Sequence, residues 1–274
     1  MILYVISVGL SVTMGLMGFI NLAHGVFAMA GGYIFSTVMA RLGMPFPVAL
    51  LMAFIAVALG SIVLERLLYS RLYTAGELTQ VLFTIGLIYA SAAIARMVYG
   101  TLAVPIVLPE YLKGQVHFLS RDFPAYRVFL IVFSMLIILG LWFGVERTRW
   151  GAMVRAAVDN RGMAQSVGIN TSVLFMLTFA LGSGLAGLGG ALGADILPVD
   201  WGYPFEHLAY FLIVVAVGGS GNILGGLYAS LILGITDVVG KYYLPQAGAF
   251  FIYAVMVLTL IFRPQGLFGR GATK

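Results

Sequence analysis

The sequence predicts an all-α polytopic integral membrane protein with about eight to nine transmembrane helices, some of them broken or re-entrant. Of 274 residues, 61% are hydrophobic and 9% are charged, and the mean hydropathy is +1.04. A soluble domain carries about 25% charged residues, so much of the polar surface that such a domain needs is missing. Backbone groups in lipid must bond within their own segment, which favours helices. We expect a single domain over residues 1–274.

Nine apolar runs follow one another along the chain, and each predicts a helix. They cover residues 1–20, 26–40, 46–64, 79–99, 127–145, 172–194, 207–218, 223–240 and 248–262. A full crossing takes about 20 apolar residues, so the shorter runs predict half-spans or re-entrant pieces. The first run has no basic region or small-residue cleavage site before it, which favours a retained span over a cleaved signal peptide.

Basic residues between the runs predict the orientation. The connections at 65–78, 146–171 and 263–274 alternate with those at 41–45, 100–126, 195–206 and 241–247. The first set contains Arg66, Arg71, Arg147, Arg149, Arg155, Arg161, Arg263, Arg270 and Lys274, and the second only Arg41, Lys113, Arg121 and Lys241. Basic residues collect in cytoplasmic loops, which places the N-terminus outside and the C-terminus inside. The same rule explains the net charge of +5 without any nucleic-acid partner.

Two short polar, glycine-rich breaks interrupt the apolar runs. The first break is Asn21-Leu22-Ala23-His24-Gly25 and the second is Gly218-Gly219-Ser220-Gly221-Asn222. Paired interruptions in the two halves of a transporter expose backbone dipoles to the solute. The candidate pathway residues are therefore Asn21, His24, Gly25, Gly219, Ser220, Gly221 and Asn222. Tight turns between antiparallel helices would use the same residue types, and the two interpretations are compatible.

Several chemical functions are excluded or disfavoured. Residues 182–187 match the dinucleotide fingerprint, but they lie inside an apolar helix, where glycine serves packing. The sequence has no phosphate-binding P-loop motif, so ATP and Mg²⁺ would have to bind partner subunits, and we expect no cofactor in this chain. Its three histidines lack ligand spacing, so no metal site is expected. No hydrolytic motif is present, so an enzyme is improbable.

Few charges fall inside the runs, which argues against coupling to protons or sodium ions. Arg96 and Asp237 lie near the predicted outer ends, where Arg96 can reach the interface and Asp237 can pair with Lys241 one helical turn later. This pattern favours a transport protein that is driven by a separate motor.

The connection 146–171 predicts short amphipathic helices. Residues 151–160 form the first, with Met153, Val154, Ala157 and Val158 on one side and an Arg155–Asp159 pair on another. Gly162 is expected to break it, and Asn170 or Thr171 to cap the next span. Such a segment either lies along the membrane interface or docks into a partner's groove.

This connection resembles the coupling loop of branched-chain amino-acid ABC transporter permeases. The matching residues are Arg149, Gly151, Arg155, Ala156, Asp159, Ala164, Gly168, Ile169 and Asn170. INLAHG at 20–25, VGGSGNILGGLYASLILG at 217–234 and FRPQGLFG at 262–269 extend the resemblance along the chain. The match is closer to the H-type than to the M-type permease. Family members usually carry a further helical half upstream, so the resemblance implies a short start or a trimmed first span here.

The resemblance implies a bacterial inner-membrane importer with several subunits. Its M-type paralogue would form a pseudo-symmetric heterodimer with this chain, below a periplasmic solute-binding protein and above two ATPase subunits. The family includes importers of branched-chain and related hydrophobic amino acids and of amides, urea and aromatic acids. A secondary transporter or channel that works without ATPases is the alternative.

The orientation can be tested by thiol labelling, because the chain has no native cysteine. Cysteines introduced as Gln115→Cys and Gly271→Cys should respond oppositely to a membrane-impermeant reagent, since the basic residues place these two connections on opposite sides. We expect Gln115→Cys to react in intact cells and Gly271→Cys only after lysis. Equal labelling of both would contradict the orientation.

Overall fold

The computed structural model describes residues 1–17, 19, 21–73, 75–106, 108–118, 121–246 and 248–268. Within these ranges the chain forms twelve α-helices and one β-hairpin. The helices are α1 Ile2–Met17, α2 His24–Leu42, α3 Phe46–Leu67, α4 Glu77–Tyr99, α5 Glu110–Lys113, α6 Ala125–Glu146, α7 Arg149–Asp159, α8 Arg161–Ser166, α9 Thr171–Gly193, α10 Tyr203–Gly218, α11 Ile223–Tyr243 and α12 Gly248–Phe262. A 3-10 helix, Tyr69–Arg71, follows α3.

Nine of these helices coincide with the nine apolar runs, which confirms the predicted polytopic all-α class. Six are long and apolar enough to cross a membrane, namely α2, α3, α4, α6, α9 and α11. The other three, α1, α10 and α12, have 16, 16 and 15 residues. They are shorter than the 20 or so residues that a full crossing takes. The short runs predicted this for α10 and α12, whereas the run 1–20 predicted a full crossing for α1, and the short run 26–40 became α2, which is long enough to cross.

Helix α9 lies at the centre of the bundle and packs against α1, α2 and α3. Glycines bring the backbones into direct contact: a Cβ on Gly9 would overlap the carbonyl of Gly182, and one on Gly31 would overlap Gly187. The hydrophobic effect does not draw helices together in lipid, so close backbone packing of this kind supplies much of the attraction. The glycines of 182–187 therefore serve helix packing, as expected from their place in an apolar run.

The alternating sets of connections lie at opposite ends of the bundle. Helices α1 and α9 are antiparallel, since Ile2 lies beside Gly193 and Gly9 beside Gly182. At one end, Val104 pairs with Val199 in a β-bridge. At the other end, Arg161 lies over the ring of Phe175, with 5.1 Å between the guanidinium carbon and the ring centroid.

The hairpin and α5 lie in the connection 100–126, where no element was predicted. Strand β1, Gln115–Phe118, pairs antiparallel with β2, Arg121–Pro124, and the His117 ring contacts the Asp122 carboxylate across the two strands. Each strand has only four residues, which is too short for an alternating pattern to be recognised in the sequence.

The predicted pair in α11 is confirmed, because Lys241 Nζ lies 2.8 Å from Asp237 Oδ2. The guanidinium carbon of Arg96 lies 5.5 Å from the centroid of the Trp201 ring, in the connection 195–206.

The backbone contact between α2 and α9 predicts a large effect of one methyl group. Gly31→Ala should lower the stability of the purified protein by about 1–3 kcal/mol, because its Cβ would force the two helices apart. Gly86→Ala is the matched control, since a Cβ there meets no atom within 4 Å and alanine favours the helix. Thermal unfolding in detergent measures both. Equal melting temperatures for Gly31→Ala and the parent would contradict the packing argument.

Candidate functional site

A cleft of about 350 Å³ brings the second break together with the connection 146–171. The residues that line it come from five parts of the chain: Gly15 of α1, Trp142, Val145 and Glu146 of α6, Arg155 and Val158 of α7, Ser220, Gly221, Asn222, Ile223 and Leu224 of the second break and the start of α11, and Phe268 beyond α12. Two features that the sequence singled out separately therefore share one surface. A movement of α7 would change the walls of the cleft beside the break.

The second break is a tight backbone turn between α10 and α11. Gly219 and Gly221 have φ of 90° and 78°, which residues with a side chain rarely adopt. The Gly221 N–H lies 3.0 Å from the carbonyl oxygen of Ser11 and 3.1 Å from its Oγ, so α1 binds the turn directly. A Cβ on Gly221 would lie 3.1 Å from Gly15 Cα. The break is thus both a turn and a wall of the cleft.

Ser220 and Asn222 occupy different positions within this turn. Ser220 is exposed and faces the cleft. Both polar atoms of the Asn222 side chain are hydrogen-bonded: Oδ1 accepts from the Gly225 N–H at 2.8 Å, which caps α11, and Nδ2 donates to the Phe268 carbonyl at 2.9 Å. Asn222 therefore holds the turn in place, while the Ser220 side chain is exposed at the cleft.

The first break is shorter than predicted, because α2 already begins at His24. His24 and Gly25 thus belong to a helix, since their N–H and C=O groups can join the α2 ladder once Ala23 has turned the chain. The His24 side chain is fully buried, and Nε2 donates to the Ile6 carbonyl of α1 at 2.9 Å. Gly25 lies against Pro204 at the start of α10. His24 thus joins α2 to α1 by a hydrogen bond, and Gly25 lets α2 pack closely against α10.

Asn21 is buried in the first break, where Tyr69 Oη donates to its Oδ1 at 3.1 Å. Phe19 packs edge-on against Tyr69 and Tyr73, with centroid distances of 5.2 and 6.0 Å. Asn21 Nδ2 has no hydrogen-bond partner among the described residues. No hydrogen bond within the described ranges joins the two breaks to each other; both adjoin α1 instead.

Glu65 is a buried acidic residue that the sequence reasoning missed, and its partner Tyr73 packs against Phe19 beside the first break. Its side chain is 3% exposed near the end of α3, and Tyr73 Oη donates to its Oε1 at 2.8 Å. Burial, and then this hydrogen bond, raise the pKa of Tyr73, so its phenol stays protonated and donates. The available signal was the position of Glu65, directly after the apolar run 46–64, where a charge can be drawn into the bundle.

The connection 146–171 folds into α7 and α8, as predicted, and side-chain caps define it. The Thr148 hydroxyl caps α7, Asn160 caps α8 and Asn170 caps α9, through acceptor contacts of 3.2, 2.9 and 3.1 Å. The break between α7 and α8 lies at Asn160, not at Gly162, which is inside α8. The reason is the Asn160 side chain, which can start a new helix where the backbone turns.

The nine residues that resemble a coupling loop differ in how deeply they are buried. Gly151 and Ala164 are buried and Ile169 is half-buried. Gly151 lies where a Cβ would overlap the Val145 carbonyl, Gly168 has φ of 88°, and Asn170 is the cap of α9. Five residues are exposed, namely Arg149, Ala156, Asp159, Gly168 and Asn170.

The contacts of Arg155 differ from the predicted pair with Asp159. Its guanidinium donates to the Val145 carbonyl and lies 3.9 Å from the Glu146 carboxylate, whereas an Arg155–Asp159 pair is not among the ion pairs of the described residues. Helix α7 crosses close to the end of α6, so the free carbonyls at that helix end are nearer partners than the exposed Asp159. Arg155 thus joins α7 to α6 on the wall of the cleft.

The histidines lie apart. His24 contacts Ile6, His117 contacts Asp122, and His207 Nδ1 lies 3.1 Å from the Tyr203 carbonyl. Across the described ranges, no three His, Asp or Glu residues come together as a metal-binding group.

Comparison with known proteins places the chain in a transport family. A family model for the permease component of branched-chain amino acid transport systems matches residues 1–260. The chain is 27% identical to the high-affinity branched-chain amino acid transport system permease protein BraD of Pseudomonas aeruginosa, over 97% of this chain and 91% of the relative. It is 26% identical to LivH of Escherichia coli, over 97% of this chain and 90% of LivH.

A paralogous type of permease is similar too. LivM, another high-affinity branched-chain amino acid transport system permease protein of Escherichia coli, is 25% identical over 97% of this chain and 68% of LivM. No solved structure matches the chain significantly. Because the family model spans almost all of its residues, this protein belongs to the family of branched-chain amino acid transport system permease components.

Proposed function

We propose that this chain is the permease subunit of an ATP-driven importer for branched-chain or related hydrophobic amino acids in the bacterial inner membrane. The observation that carries the proposal is the cleft in which Arg155 of α7 meets Ser220–Asn222 of the second break. In such a subunit, a partner that moves α7 changes the walls beside the break. The substrate class rests on the names of BraD, LivH and LivM, each of which is a high-affinity branched-chain amino acid transport system permease protein.

We propose that ATPase subunits dock on α7 and α8. Helix α8 and the residue that follows it expose an apolar surface: Met163 is 68% exposed and Val167 is 73% exposed. Large exposed apolar side chains in a connection rich in arginine are typical of a protein contact. The other face of α7 and α8 is buried in the bundle. There, Val154, Ala157 and Ala164 pack against Leu174 and Phe175 at the start of α9. Docking would move α7, α8 and the start of α9 together. ATP and Mg²⁺ would then bind the ATPases, and this chain, as one domain, would contribute the pathway.

The remaining partners follow from the same proposal. The similarity to both LivH and LivM supports a pseudo-symmetric heterodimer with an M-type paralogue. The connections at 100–126 and 195–206 meet at the end opposite α7, which supports a periplasmic binding protein there, an external N-terminus and an internal C-terminus. The relatives favour this importer over a secondary transporter or channel, and reconstitution with ATPases and binding protein tests it: uptake should require ATP.

Two variants separate docking from transmission. Ala156→Glu places a charge on the exposed face of α7, where burial against a partner would cost several kcal/mol. We expect ATPase co-purification to be lost. Arg155→Glu reverses a charge on the inner side and sets two carboxylates near the end of α6. We expect membrane insertion and ATPase binding to persist while import is abolished.

Ser70→Glu serves as the control, because Ser70 is exposed at the same end of the bundle but outside the connection 146–171. It should leave both co-purification and import unchanged. Normal import by Arg155→Glu, together with normal co-purification of Ala156→Glu, would refute the assignment of α7.

Both breaks are proposed to border the solute pathway or its cytoplasmic gate. Gly221→Leu must displace α1 at Gly15, and Asn21→Leu removes the acceptor of the Tyr69 hydroxyl. Each should lower the import rate about tenfold or more, equivalent to ~1.4 kcal/mol of barrier, without changing solute binding by the separate binding protein. Gly76→Leu is the control, because a Cβ there meets no atom within 4 Å. Unchanged import in both variants would mean that the breaks are ordinary turns.

A further inference from the structure

The residues after α12 fold back over the second break. We call residues 263–268 the C-terminal strap. The strap turns at Gly266, whose φ is 83°, and the Leu267 N–H then donates to the Val217 carbonyl at 2.7 Å. A Cβ on Gly266 would lie 2.6 Å from the Gly219 nitrogen. The strap and the break are therefore in backbone contact, which leaves no room for a side chain between them.

Side chains extend this contact on both sides of the break. Leu267 packs against the cluster of α10, α11 and α12 that includes Val217. The Phe268 ring stacks on Tyr228 of α11, with centroids 5.1 Å apart and an interplanar angle of 23°. The strap thus touches the helix before the break and the helix after it.

Asn222 joins the strap to the break itself. Its Oδ1 caps α11 by accepting from Gly225, while its Nδ2 donates to the Phe268 carbonyl at 2.9 Å. Phe268 also lines the cleft beside Arg155 and Val158 of α7. The strap therefore contacts the turn beside the proposed pathway and borders the same cleft as α7, the helix that we propose an ATPase moves.

We propose that the C-terminal strap is a positioning element that sets where the second break sits. Gly219 and Gly221 have no side chains, and the Ser220 side chain is exposed, so contacts from outside determine the position of this turn. Ser11 and Gly15 of α1 supply those contacts on one side and the strap on the other. The consequence for import rests on the function proposed above, whereas the hold on the break does not.

Asn222→Asp separates the two roles of that side chain. Aspartate caps a helix as well as asparagine does, so α11 keeps its N-terminus. The amide donor is lost, and a carboxylate then faces the Phe268 carbonyl. Phe268→Ala removes the stack on Tyr228, and Phe268→Tyr restores a ring. Phe262→Ala is the matched control, because Phe262 ends α12 with 78% of its surface exposed.

Release of the strap can be read at Val217, which is 0% exposed beneath it. In the assembled complex without nucleotide, a Val217→Cys reporter in this cysteine-free chain should react slowly with a small water-soluble thiol reagent. We expect about fivefold faster labelling in Asn222→Asp and in Phe268→Ala, the effect of one lost contact, and rates within about twofold of the parent in Phe268→Tyr and Phe262→Ala. Unchanged labelling in both Asn222→Asp and Phe268→Ala overturns the proposal.

A second readout needs no reporter. Hydrogen exchange at the Leu267 amide should accelerate in the same two variants, because its bond to Val217 opens when the strap detaches. Unchanged exchange overturns the proposal even where the cysteine itself disturbs the site.

Import measurements keep the two proposals apart. If the strap is released and solute moved per ATP falls while hydrolysis continues, both the strap and the proposed function are supported. If release is measured but import per ATP stays at the parental value, the strap still positions the break, and the placement of the break beside the gate is wrong.

Discussion

Backbone contact between α9 and its neighbours is the constraint on which the other contacts depend. In lipid, helices gain little from the hydrophobic effect, so close approach and hydrogen bonds must hold them together. Glycines at 9, 31, 182 and 187 allow α1 and α2 to touch α9 without intervening side chains. Because α1 is placed this way, Ser11 and Gly15 reach the second break, and Ile6 presents its carbonyl to His24.

The two breaks are stabilised by different physical means. Side chains dominate the first, where Tyr69 donates to buried Asn21 and aromatic rings enclose the turn. Backbone geometry dominates the second, where two glycines adopt positive φ and neighbouring segments supply the hydrogen bonds. A turn of the second kind can shift with little loss of side-chain packing, and it is also the one that lies beside α7. This difference makes the second break the better candidate for a moving gate.

The residues that resemble a coupling loop form one motif in the sequence but act in distinct ways in the structure. Gly151, Ala164, Gly168 and Asn170 shape the two short helices, through close packing, burial, a positive φ and a cap. Ala156 and Asp159 face outward, where a partner can reach them. Arg155 faces inward and joins α7 to the end of α6. The proposed docking surface and the connection to the bundle thus lie on different faces of the same helix.

The sequence by itself determined the nine apolar helices, the cap of α9, the Asp237–Lys241 pair and the packing role of the glycines. Each of these depends on hydropathy over a helix length or on residues within about four positions, so the pattern is readable locally. Only the tertiary structure decided that Arg155 meets Val145, that Tyr73 meets Glu65 and that Asn222 meets the Phe268 carbonyl. These partners lie in different elements, 8 to 46 residues apart, and helix crossing geometry brings them together. No residue's own propensity encodes that geometry, because it arises from how whole helices pack against α9.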